Sequence, residues 1–227
     1  MNVKEAAIVI DAKVEGQLED NMSGIKKKDL EIKLEGIPSH PDPSPDLEQY
    51  KTPSTIASDM LFRAFINKDI KGKAIADLGC GTGIFSIGAA YLGASHIYSL
   101  DIDSKAIDVA RETAKEHSFT DVIDHIEKKV SDFDIEVDTV LMNPPFGSQK
   151  KGADIPFLKK SFTIAERVYT LHNAKTVDFL ENYIKDKGHN LIWQKRYMFE
   201  IDNIFEFHEE KKKNFEIIGY GIDIKRE

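Results

Sequence analysis

Three features of the sequence predict an α/β fold: a mostly parallel sheet with helices on both faces and an antiparallel hairpin at one edge. From residue 52 onward, short apolar runs alternate with segments of helical periodicity. A glycine-rich turn, Gly79-Cys80-Gly81-Thr82-Gly83, joins the first of those runs to the helix after it. The length of 227 residues, 41% hydrophobic and 31% charged, suits one domain with a sizeable core and leaves little room for a second.

The elements follow in order. Residues 1–46 are polar and end in Pro38-Ser39-His40-Pro41-Asp42-Pro43-Ser44-Pro45, which cannot continue a helix or a central strand. They are expected to form a tail or arm, disordered over residues 1–21, ahead of a domain spanning 47–227. Thr52 and Pro53 suit a helix start, and Ile56, Met60, Leu61, Ala64 and Phe65 fall on one face of that helix. Short apolar runs bounded by turn residues predict strands at Ala74–Leu78, His96–Asp101 and Val137–Met142, with a weaker one inside Val122–Val130. Helices are predicted at Ile84–Leu92 and Ser104–His117 between them, then at Phe157–His172 and Lys175–Asp186. Strands near Asn190–Gln194, Ile204–His208 and Phe215–Ile224 complete the pattern, the last two close enough for an antiparallel hairpin.

Composition narrows the function. No apolar run approaches a membrane span, and the patch Ala6–Ile10 is interrupted by Glu5 and Asp11 with no basic lead, so no targeting signal is read. The single cysteine, Cys80, leaves no internal disulfide and no Cys-based zinc site, which fits a reducing compartment. A cytoplasmic protein without a bound metal is expected. The net charge of −8 argues against sequence-blind nucleic-acid binding, although residues 148–227 carry a surplus of Lys and Arg that could form a local basic rim.

The glycine turn is a binding loop. Gly79, Gly81 and Gly83 permit positive φ and close approach of backbone to a ligand at a helix N-terminus. Asp77 precedes them, wrong for cradling a pyrophosphate but suited to a cationic or amine-bearing ligand. Asp101 ends the next strand, where a carboxylate can accept ribose hydroxyls. No Lys-Ser/Thr follows the last glycine, which excludes a phosphate loop. Acid, glycine loop and second acid together favour S-adenosylmethionine over NAD.

The run Leu141-Met142-Asn143-Pro144-Pro145-Phe146-Gly147 ends the fourth strand, which flanks the switch in strand order where ligands bind in such sheets. Asn143 offers an amide oxygen, and Pro144 a carbonyl whose direction Pro145 fixes. Two acceptors suit an NH2 group with two N–H donors. An amine conjugated to an aromatic ring is a poor nucleophile; two acceptors draw it toward tetrahedral geometry and expose its lone pair, while Phe146 can stack on the base. Such a base must be flipped out or already unpaired.

These residues resemble the class I amino-methyltransferases with their Rossmann-like seven-stranded sheet. More closely, the chain resembles the methyltransferase-like protein five group and its archaeal relatives, which methylate N6 of one adenosine in small-subunit ribosomal RNA. The specific pieces are LEQYKTP, ADLGCGTGIFSIGAAYLGA, DID, DTVLMNPPFG, KKGADIPFLKKSF, VYTLH and RYMFEIDNIFEFHEEKK. The resemblance implies cofactor contacts from Gln49 and Thr52, a donor site lined by Gly79, Thr82, Ile84 and Asp101, and a catalytic tetrad of Asn143, Pro144, Pro145 and Phe146. Where the family often has an acid before a valine, near the cofactor adenine, this chain has Lys129 before Val130. Lys150, Lys151, Lys159 and Lys160 flank the catalytic loop and are expected to make weak contacts to RNA phosphates.

The resemblance also implies a small zinc-binding methyltransferase activator as partner. The weak strand within Val122–Val130 is expected at a sheet edge, exposing Val122, Ile123 and Ile126. Three rivals keep the chemistry and change the target: N6-adenine in DNA, N2-guanine in rRNA, or a release-factor glutamine. A fourth is a non-catalytic binding protein of the same fold.

Overall fold

The strands form where apolar runs meet turn residues, and a computed structural model describes them within residues 25–44, 47–147, 152–202 and 212–226. Strands β1 (Ala74–Leu78), β2 (His96–Asp101) and β4 (Val137–Met142) have the bounds that the sequence predicts. With β3 (Ile123–Glu127), β5 (Ala165–Asn173), β6 (Asn190–Asp202) and β7 (Lys212–Asp223) they build one seven-stranded sheet in the order β3-β2-β1-β4-β5-β7-β6. Strands β1 to β5 run parallel, whereas β7 is antiparallel to both β5 and β6. In register, Leu78 lies beside Leu100 and Met142. Gly79, Asp101 and Asn143 therefore emerge at one edge, at the switch point between β1 and β4 where strand order reverses.

Six helices cover the sheet among the described residues: α1 (Lys27–Glu35), α2 (Ser54–Ile66), α3 (Ile84–Tyr91), α4 (Ser104–Glu116), α5 (Ile155–Ile164) and α6 (Val177–Asp186). Alternation along the strands sends Ile75 to one face and Ala76 to the other. Ile75 joins a core with Leu34, Met60, Leu61 and Ile87, and Ala76 joins a second core with Leu158, Leu180 and Ile184. None of the described helices is long and apolar enough to cross a membrane.

The structure corrects three expectations. The segment read as one helix, Phe157–His172, is a helix only to Ile164; Ala165 turns extended (φ −127°, ψ 159°) and begins β5, which fills the place between β4 and β7. Within the N-terminal arm, Lys27–Glu35 is helical, with Leu30 and Leu34 on one face and buried against α2 and α3. At the edge strand, Ile123 is only 3% exposed, and Val122 and Ile126 pack on the two cores, so the outward residues are Asp121, Asp124, Glu127 and Lys128. Charged side chains flank this edge, whose strand has β2 as its single neighbour among the described strands. The strand expected near Ile204–His208 and the tail at 1–21 lie outside the described residues.

Candidate active site

Gly79, Gly81 and Gly83 all take positive φ, 72°, 54° and 90°. Only the first is crowded by a ring: a Cβ there would lie 3.0 Å from Phe157 Cε1. Gly83 is the N-cap of α3 and has no side chain to satisfy the first turn. Asp77 does this from below. Its Oδ2 accepts from the Ser86 amide at 2.9 Å and the Ser86 hydroxyl at 2.6 Å. The carboxylate is fully buried, its Oδ1 has no partner, and burial pushes its pKa up to about 7. Asp77 thus stands under the loop rather than facing a ligand. Ile84, expected at the donor site, is the first residue of α3 and also lies outside the cavity wall.

Above the loop opens a cavity of about 520 Å³, a size suited to a small-molecule ligand. Gly79, Gly81, Thr82, Asp101, Lys129, Val130 and Gln49 line it, as expected. The amides of Gly79 and Cys80 both bond the Leu100 carbonyl, at 2.8 and 2.9 Å, so β2 fixes the loop's shape. Asp101 accepts from the Gly81 amide at 2.9 Å through Oδ2 and from the Asp103 amide at 3.0 Å through Oδ1. Burial raises its pKa, opposed by those amides. Each oxygen keeps a further lone pair, enough to accept two hydroxyls.

The arm forms the opposite wall. Thr82 Oγ1 donates to the Pro38 carbonyl at 2.7 Å. Gln49 Nε2 donates to Asp103 Oδ2 at 2.7 Å while its Oε1 accepts from the Ser44 amide at 2.7 Å. His40, whose Nδ1 accepts from the Asp42 amide, directs Nε2 to the same Asp103 oxygen at 3.1 Å. His40 carries no motif, and Asp103 stands in the piece DID with no role implied for it, because their meeting depends on how a proline-rich arm lies across a loop 63 residues later. The residues present fit S-adenosylmethionine: Asp101 offers hydroxyl acceptors, and a Cβ added to Gly81 would meet nothing within 4 Å, which leaves room for a ligand.

On the other side of the cavity stands the proline loop. Asn143 donates through Nδ2 to Thr52 Oγ1 at 2.9 Å, and its Oδ1 is buried with no partner. Thr52, expected to touch the cofactor, is 4% exposed and instead holds this amide from behind. Pro145 lines the cavity and Pro144 is buried beneath it. The Phe146 ring meets Phe199 and Phe215 edge-on, with centroids 5.9 and 5.4 Å away, and is thereby fixed. The Phe146 amide donates to Glu48 Oε2 at 2.7 Å. Lys159 is exposed, Lys160 bonds Asp134 at 2.6 Å, and Lys150 and Lys151 lie outside the described residues.

Comparison with known proteins agrees with this geometry. Residues 54–168 match the methyltransferase small domain family. A protein of Methanocaldococcus jannaschii is 38% identical over 209 residues, 88% of this chain and 94% of its own length. The rRNA N(6)-adenosine-methyltransferase Mettl5 of Drosophila melanogaster is 33% identical over 213 residues, 91% of this chain and 100% of its own. Among solved structures, a Pyrococcus horikoshii protein described as a candidate RNA methyltransferase superposes with a TM-score of 0.83 at 38% identity, covering 91% of this chain and 100% of that one.

Proposed function

The chain belongs to the methyltransferase small domain family and, within it, to the Mettl5 group, and from that premise we propose that it methylates the exocyclic N6 of an adenosine in ribosomal RNA, with S-adenosylmethionine as donor. The observation that carries this reading is the Asn143 amide. Its nitrogen is spent on Thr52 while its buried oxygen has no partner, an arrangement that costs free energy unless a donor arrives. An amine held by this oxygen and the Pro144 carbonyl has both N–H groups engaged and its lone pair free.

When bound, S-adenosylmethionine supplies a methyl group on a sulfonium, an electrophile for that lone pair. Asp101 would hold its ribose hydroxyls, with Gly79, Gly81, Thr82, Gln49, Lys129 and Val130 forming the walls. Asp77 and Thr52 act one step back, by shaping the glycine loop and aiming Asn143. Phe146 fixes the base by stacking, and exposed Lys159 meets the RNA backbone. Catalysis here is mainly orientation and placed dipoles, without a strong base. The resemblance to the methyltransferase-like protein five group supports the small ribosomal subunit as the source of the adenosine, and the single cysteine supports the cytoplasm as its location. Transfer of tritiated methyl to total RNA, followed by nucleoside mass spectrometry, tests the reading. Label in N6-methyladenosine of small-subunit rRNA is expected; label in guanosine alone, or transfer to DNA or a release factor in parallel reactions but not to RNA, would transfer the proposal to one of its rivals.

We extend the proposal to a partner, a small zinc-binding methyltransferase activator seated on β3. Among the described strands β3 has β2 as its single neighbour, so the backbone of Ile123–Glu127 is unpaired on its outer side. Co-expression should give a stable one-to-one complex with higher activity. A chain that is monodisperse and fully active alone, and indifferent to the activator, refutes this part.

A further inference from the structure

Glu48 lies within the piece LEQYKTP, where the resemblance implies roles for Gln49 and Thr52 alone, yet it occupies an unusual position. It is a non-glycine residue at φ 50°, in the left-handed region, a conformation that costs about 1–2 kcal/mol for an L-residue. Its carbonyl accepts from the Tyr50 amide at 2.9 Å, which closes the tight turn. The residue is 8% exposed and shares the cavity wall with Asn143 and Pro145. The strained backbone thus delivers a carboxylate into the site, and Oε2 accepts from the Phe146 amide at 2.7 Å, the length of a charge-assisted hydrogen bond.

The chemistry of the loop explains why that amide matters. Pro144 and Pro145 have no N–H, so the first backbone donor after Asn143 is Phe146. Glu48 takes it. Four residues further along the arm, Thr52 takes the Asn143 side-chain amide. One segment therefore grips the loop at both ends, Asn143 through its side chain and Phe146 through its backbone, and the two prolines are held between. The intervening arm residues Gln49, Tyr50 and Lys51 line the donor cavity.

We propose that Glu48 is a positioning residue of the transfer reaction, its carboxylate clasping the Phe146 amide so that the Asn143 oxygen and the Pro144 carbonyl keep the spacing that a planar amine requires. This rests on the reading of Asn143–Phe146 as the acceptor loop. It makes the acceptor geometry depend on the same arm that walls the donor.

Three variants test it: Glu48→Ala removes the acceptor, Glu48→Asn tolerates the left-handed backbone but withdraws the acceptor by one methylene, and Glu48→Gln keeps a carbonyl oxygen in reach. A misplaced reacting group commonly costs about 100-fold, so Ala and Asn should each lower kcat by about that factor with donor Kd and RNA KM within about threefold of wild type, and Gln should recover most of the turnover. Amide hydrogen exchange at Phe146, followed by NMR with no substrate present, should lose protection in Ala and Asn and keep it in Gln. If Ala does not fold, Asn and Gln carry the comparison. Equal loss in Gln and Asn, unchanged kcat in Asn, or a donor Kd that rises in step with the fall in kcat would overturn the proposal. Equal Phe146 protection in all variants would overturn it as well. A wild-type chain that methylates no adenosine would sink the functional reading, while the exchange measurement would still decide whether the clasp exists.

Discussion

Replacing Asp77 by Asn should flatten the protein's stability against pH between about 4 and 7. The carboxyl is fully buried, its Oδ2 serves the Ser86 amide and hydroxyl, and its Oδ1 has no partner. Burial raises the pKa from 3.8 to about 7, with the Asp101 charge adding to it against the Ser86 hydrogen bonds. A carboxyl held above its free value is favoured in its protonated form by folding. Between pH 4 and 7 the folded chain therefore binds more protons at this site than the unfolded chain, and stability falls as pH rises through that window. A gap of about three pH units at about 1.4 kcal/mol per unit makes the site's contribution change by about 4 kcal/mol, levelling off above pH 7. Asn keeps an oxygen for Ser86 but does not titrate. Urea unfolding followed by circular dichroism at pH 4, 5.5, 7 and 8 measures the difference between the two proteins, in which titrating groups not coupled to Asp77 cancel. The variant should gain on wild type as pH rises to 7. Parallel curves, or wild type gaining on the variant with rising pH, would refute the reasoning.

Asn143→Ala should lower methyl transfer by about 100-fold or more while leaving donor Kd within about twofold, because the amide oxygen faces the acceptor; activity near wild type in a radiolabel assay rejects its role. Asp101→Ala should weaken S-adenosylmethionine binding by about 1.5–3 kcal/mol by calorimetry, since the hydroxyl acceptors go, and an unchanged Kd in a folded variant makes Asp101 structural only. Gly79→Ala puts a Cβ 3.0 Å from the Phe157 ring at φ 72°, so it should destabilise the fold by about 1–2 kcal/mol and loosen the donor cavity; a variant with wild-type Tm and Kd contradicts this.

What the sequence made legible follows from where local and tertiary signals agree. Strands β1 and β4 are apolar, flanked by turn residues and buried on both faces, β2 is half-buried at His96, Tyr98 and Asp101, and the bounds of all three were readable to the residue. The passage from α5 to β5 was not, because no Gly or Pro separates Ile164 from Ala165 and the following residues, Glu166-Arg167-Val168-Tyr169-Thr170-Leu171, suit either period. Pairing with β4 and β7 decides for the strand. In α1 a signal was present, since Leu30, Leu34 and Ile37 fall at helical spacing, but the surrounding lysines and glutamates gave it the look of a solvated arm. At the site, Asn143, Asp101 and the glycines were legible because their chemistry is tied to a strand end. Asp77 and Thr52 were legible by type but serve as supports, since each is buried behind the residue that it was expected to accompany. The roles of Glu48, His40 and Asp103 were hidden, although Glu48 and Asp103 stand in the pieces LEQYKTP and DID, because contacts between segments 54 to 98 residues apart leave no local pattern.

The position of β7 bears on how the protein is made. As synthesis proceeds from the N-terminus, strands β1 to β5 can pair in their parallel order while the ribosome is still working, but β5 has no second neighbour until residues 212–223 have been translated. Strand β6 is finished earlier, but in the folded sheet its neighbour among the described strands is β7 and not β5. A nascent chain stalled before Lys212 therefore presents the open edge of β5, with Val168, Tyr169 and Leu171 beside it, all of them fully buried in the finished protein. The last strand to emerge closes the sheet from within, so the interval between translating β5 and translating β7 is when the chain most needs protection from aggregation.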